Sequence, residues 1–166
     1  MNRLRRLLLK EDIGIDILNK LNERELLEMA YSKKRIEDIL ENICPKIREH
    51  LIKCYLWKDN NALNHWKTEI FSMLHQMYML KNVNRLPTYN EIYRWFLETQ
   101  FELIEDGTDN DVNTVKYLEK KEVPQYNKTN LINFQKSYFE WLLKELCSKG
   151  NVSIEEVFNK IDSLLN

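Results

Sequence analysis

Residues 62–80 carry Leu63, Trp66, Ile70, Met73, Met77 and Leu80 at alternating steps of three and four, an unbroken apolar stripe at helical period. Phe71, His75 and Tyr78 lie away from that stripe, so the predicted helix has a second face for packing and is expected at the centre of its fold.

The same reading places helices on either side. Residues 1–21 form a basic amphipathic arm, with Arg3, Arg5 and Arg6 beside Leu7 to Leu9 and a passage through Gly14 into Ile15. Asn22 with Glu25 three residues later marks a capped helix start, from which Leu26, Met29, Ile36, Ile39, Leu40 and Ile43 run to Pro45. Proline lacks an N–H, so that helix either kinks at Pro45 or ends and restarts through Ile47, Leu51, Cys54 and Tyr55. After a break at Asp59-Asn60-Asn61, the central helix and a turn at 82–86, Pro87, Thr88 and Glu91 announce another helix to about Glu105. Residues 106–111, DGTDND, read as a solvated loop, and a short helix over 112–121 stops before Pro124. Thr129 or Asn130 is expected to cap a helix bearing Leu131, Phe134, Tyr138, Trp141 and Leu142, which closes near Gly150. Ser153 and Glu156 open a last helix to Leu165, making 125–166 a C-terminal helical hairpin. The expected fold class is all-α, a bundle of six to eight helices in a single domain over 1–166.

Composition agrees with helices. Glycine and proline number only three each in 166 residues, too few to punctuate many strands and turns. A hydrophobic share of 43% beside 31% charged residues is that of a chain able to bury a core. The net charge of −1 provides no global field for nucleic acid or anionic lipid, so binding of that kind needs a local patch. Cys44, Cys54 and Cys147 are an odd set without C-x-x-C spacing, which fits a reducing, cytoplasmic setting. No signal-peptide core and no apolar run of about 18 residues occurs, so no membrane is expected as a partner.

The chemistry-bearing residues are sparse. Every histidine falls within residues 50–79: His50, His65 and His75. His50 and Cys54 are one helical turn apart and face one way, but zinc needs three or four ligands and no second cluster with ligand spacing follows. His65 lies one turn before Glu69, the arrangement of a helix-surface pair. Glycines at 14, 107 and 150 cannot build a phosphate loop or a nucleophile elbow. Adjacent carboxylates such as Glu105/Asp106 and Glu155/Glu156 point to different sides of a helix, unlike a cooperating acid and base. The reading is that the histidines are structural or surface residues, that the chain takes no metal or cofactor, and that it is not an enzyme. Were it one, His50, His65, His75 and Glu69 would be its titratable groups.

At HLIK, residues 50–53, with Tyr55 or Trp57 in an aromatic place and Trp66 and Ile70 in the next helix, the chain resembles the bacterial family catalogued as domain of unknown function twenty-nine. That family has a central H-L-L-K motif, an aromatic shortly after it and a tryptophan opening the following helix. RIEDILENI, residues 35–43, is similar to the family's acidic I-E-E-I helix. YFEWLLKELCSKGNVSIEEVFNKI, residues 138–161, is similar to its amino-terminal segment, here at the carboxyl end. The resemblance implies an α-helical fold and carries no activity, cofactor or catalytic residue with it.

Two functions compete at this stage. The first is a non-enzymatic protein-interaction or regulatory module that binds a protein partner or its own copy. The second is a nucleic-acid-binding regulator, because RLPTYNEIYRWF (85–96) resembles the entry of some winged-helix repressors and 113–123 their recognition helix, in a helix-turn-helix-like segment near 85–123. Arg3, Arg5, Arg6, Arg85, Arg94, Lys116, Lys120 and Lys121 are the candidate interaction surface for either.

Overall fold

Pro45 falls in the first turn of an α-helix, a position that tolerates its missing N–H. A single π turn, Ile39–Ile43, leads straight into that helix, α1 (Cys44–Leu56), so the chain resolves the proline by changing helical register rather than by a gap. The computed structural model describes residues 39–74 and 89–166. The arm over 1–21, the expected helix from Asn22 as far as residue 38, residues 75–80 with His75, the turn at 82–86 and the helix entry at Pro87 and Thr88 lie outside the described residues.

Four more helices follow: α2 (Leu63–Met73), α3 (Tyr89–Glu119), α4 (Lys128–Ser148) and α5 (Ile154–Leu165). The bundle is all-α, but it has five α-helices among the described residues, not six to eight. The principal reason is α3, 31 residues long, which absorbs both the helix expected to end near Glu105 and the one expected over 112–121.

Residues 106–111 are helical because the bundle holds them there. Thr108 is fully buried, donates its hydroxyl to the carbonyl of Ile104 and accepts from Gln135 Nε2 of α4 at 3.4 Å. Asp109 accepts from Lys128 Nζ at 2.7 Å, and Asp111 lies 3.8 Å from the Arg48 guanidinium of α1. Three contacts from the neighbouring α1 and α4 outweigh the poor helical propensity of DGTDND, which amounts to roughly 0.7 kcal/mol per residue and about 1 for Gly107.

Among the described residues α1, not the described part of the predicted 62–80 helix, occupies the centre. It packs on α2, α3 and α4, and Cys44, Ile47, Leu51, Ile52 and Cys54 have no exposed surface. With the buried Arg48, His50, Lys53 and Leu56 these positions go round the helix rather than forming one stripe, the pattern of a helix covered on several sides. α2 buries a narrower face through Trp66, Lys67 and Ile70 against α1 and α5. Leu131, Tyr138, Phe139 and Leu142 supply the α4 contribution, each apolar side chain contributing about 1.5–3 kcal/mol by leaving water.

The caps mostly follow the sequence. Ser153 accepts from the Glu156 N–H at 3.1 Å and opens α5 as expected. Gly150, at φ 80°, closes α4 with its N–H on the Glu145 carbonyl at 3.3 Å, a conformation suited to glycine. α4 is capped by Asn127, which accepts from the Asn130 N–H at 2.9 Å, rather than by Thr129 or Asn130.

Candidate functional site

α1 and α2 are joined by an imidazole–carboxylate cluster. His50, nearly buried on α1, turns Nδ1 to the Lys46 carbonyl at 2.7 Å and Nε2 to Glu69 Oε2 of α2. The other Glu69 oxygen lies 3.0 Å from His65 Nε2. Glu69 thus bridges two histidines, and His65 and Glu69 pair one turn apart as their spacing predicted. Both His50 partners are hydrogen-bond acceptors, so the ring serves as a tie between helices. Both His50 nitrogens are taken up by Lys46 and Glu69, and Cys54 is fully buried, its thiol pushed up to about 12 by burial. Among the described residues no group of three or more His, Cys, Asp or Glu side chains could hold a metal ion.

A polar layer crosses the core beside this cluster. Arg48 Nη1 donates to Gln100 Oε1 of α3 at 2.5 Å, and Gln135 Nε2 donates to the Leu131 carbonyl at 3.2 Å. Burial raises the Asp111 carboxyl above its usual range, with the Arg48 charge opposing the rise. These contacts fix α3 in register against α1 and α4, the specifying role of a buried polar network.

Of the residues expected to form an interaction surface, the structure brings together Lys116, Lys120 and Lys121. They line a shallow hollow of about 580 Å³ with Asn113, Tyr117 and Glu122 at the end of α3. Tyr117 is 82% exposed and its neighbour Leu118 54%, far more than core residues of their kind. Lys120 ends the helix with φ at 52°, a left-handed conformation that turns the chain away from the α3 axis. Lys121 is already engaged: its ammonium lies 5.7 Å from the Trp57 ring and 5.5 Å from the Trp66 ring, while Trp57 Nε1 donates to the Glu122 carbonyl at 3.3 Å. Arg94 falls on α3, its side chain outside the description, and Arg3, Arg5, Arg6 and Arg85 lie outside the described residues.

The helix-turn-helix-like reading fails on geometry. Residues 89–119 are one continuous helix, so no turn separates an entry helix from a recognition helix within them.

A second concavity, of about 670 Å³, was not expected from the sequence. Tyr55, Lys58 and Asp59 form one side, Asn130, Asn133, Phe134 and Ser137 of α4 another, and Leu164 and Leu165 of α5 close an end. The only sequence signal was the spacing of Asn130, Asn133 and Ser137, which reads equally as an ordinary solvated face. No helix of the described residues is long and apolar enough to cross a membrane. No protein-family model, curated protein or solved structure matches this chain.

Proposed function

We propose that this chain is a non-enzymatic, cytoplasmic interaction module that docks an acidic segment of a protein partner on the end of α3. The observation that carries the reading is Tyr117, 82% exposed between Lys116 and Lys120 on a hollow whose single carboxylate is Glu122. An aromatic ring left in water among cations offers a partner both apolar area and charge complementarity, the composition favoured at interfaces. The free, buried Cys44 and Cys54 support a reducing compartment. Kinship with domain of unknown function twenty-nine, resting on residues 50–53 and Trp66, is part of the same proposal and adds no activity to it.

The test is affinity purification of the full chain from the cells that make it, with and without nuclease, in parallel with a Lys116→Ala/Tyr117→Ala/Lys120→Ala variant. The expected result is a stoichiometric protein that survives nuclease, weakens as salt rises and is absent with the variant. A protein retained equally by the variant would place the interface elsewhere. Material lost with nuclease would replace the reading with nucleic-acid binding, and pairing of the chain with its own copy would replace it with self-association.

A further inference from the structure

The groove between α1, α4 and α5 shares no residue with the hollow at the end of α3 and differs from it in chemistry. Asn130, Asn133 and Ser137 follow one another at steps of three and four along α4, forming a ladder of neutral hydrogen-bonding groups over about 10.5 Å. Asn127 uses its side-chain oxygen on the Asn130 N–H, but among the described residues nothing engages the side-chain amides of Asn130 and Asn133. Both are exposed. Lys58 and Asp59, adjacent and opposite in charge, give the groove no net sign. Its floor is apolar: the Tyr55 and Phe134 rings meet at 5.4 Å, flanked by Leu56, Leu164 and Leu165.

We propose that this groove binds an extended, uncharged segment of a partner polypeptide, held chiefly through its backbone. A side-chain amide presents a donor and an acceptor together, the same pair that a peptide unit presents, so successive amides can each meet one. An extended chain advances about 3.3 Å per residue, so the ladder from Asn130 to Ser137 spans roughly three residues. The floor between Tyr55, Phe134 and Leu165 takes one alkyl or aromatic side chain of that segment. Anionic ligands find only Lys58, which Asp59 offsets, so a nucleotide or phosphopeptide gains little here.

The experiment pans a phage-displayed library of random dodecapeptides on the full chain. Enriched peptides are then titrated by fluorescence anisotropy against the wild type, Asn130→Ala/Asn133→Ala, Ser137→Ala and Lys116→Ala/Lys120→Ala. The expected peptides are uncharged around an apolar or aromatic residue. Their affinity falls about tenfold with the double asparagine variant, the loss of one or two hydrogen bonds, at unchanged melting temperature. The Lys116→Ala/Lys120→Ala variant leaves it unchanged. Failure of any peptide to enrich over bare support would overturn the proposal, as would peptides bound equally by the asparagine variant. Acidic peptides lost only with the lysine variant would overturn it too, while supporting the separate site on α3.

Discussion

Lys67 of α2 is buried, and its ammonium donates to Asp162 of α5 at 2.8 Å while lying 4.5 Å from the centre of the Phe158 ring. The pair is unequal: the Lys67 side chain is 4% exposed and that of Asp162 49%. Removing the exposed partner strands a buried charge, whereas removing the buried one leaves a carboxylate that water can solvate. Asp162→Ala is therefore expected to destabilise the fold by about 1–3 kcal/mol and Lys67→Met by less than about 1 kcal/mol. Urea denaturation of both variants checks the order, and the reverse order would contradict it.

Gly107 lies inside α3, where a Cβ would meet nothing nearer than Asp111 Oδ2 at 3.8 Å, an ordinary contact. Gly107→Ala is expected to raise stability by about 0.5–1 kcal/mol, because alanine gives up less backbone freedom on entering a helix. Thermal melting would show this directly. A loss of stability would mean that residues 106–111 prefer a loop after all.

That segment shows what a sequence can and cannot disclose. The apolar spacing of α2 and α4, the Ser153 cap and the Gly150 stop were all legible because each is a local rule acting within a few residues. DGTDND reads as a loop because its helix depends on Arg48, Lys128 and Gln135, which belong to other helices and lie 63, 19 and 27 residues from their partners in sequence. The central place of α1 was hidden for a similar reason: burial on several sides leaves no clean stripe to find. Lys116, Lys120 and Lys121 were recognisable as a cluster, but not that Lys121 would be taken up by two indoles. The groove residues lie on three helices and two connections, and no spacing within one element announces such a convergence.

Burial pushes the Cys44 and Cys54 thiols up to about 12, from an ordinary value of 9.0. The thiolate is the reacting form, so both cysteines should resist iodoacetamide at neutral pH in the folded chain and react after denaturation, as peptide mapping by mass spectrometry can show. The unfolded chain releases these protons first as pH rises. Stability should therefore fall from about pH 9 upward, by at most about 1.4 kcal/mol per pH unit for each thiol, and Cys44→Ala should lessen the slope. A flat stability profile between pH 8 and 11 would refute this.

Lys149 clasps the junction of α4 and α5, its ammonium 2.7 Å from Glu145 Oε2 and 2.9 Å from Glu156 Oε2. The hydrogen bond from Lys149 holds the Glu156 carboxyl below its ordinary value, with the Ser153 cap adding to the effect. A depressed carboxyl contributes stability above its unfolded value and loses it as pH falls through the folded one. Lys149→Met should thus be slightly less stable than the wild type at pH 7, and the gap should close as pH drops through the carboxylate range. Melting curves at pH 7, 5 and 3 test it; a gap that persists at pH 3 would assign Lys149 a role other than charge.

The stacking of Lys121 over Trp57 and Trp66, whose rings lie 6.1 Å apart, makes the end of α3 visible to light. Indole emission responds to a nearby ammonium, and these two indoles sit beneath the same turn of chain that sets Tyr117 in water. The molecule therefore carries a built-in optical reporter: a partner that draws Lys121 away while covering Tyr117 would announce itself as a change in tryptophan fluorescence, without any label.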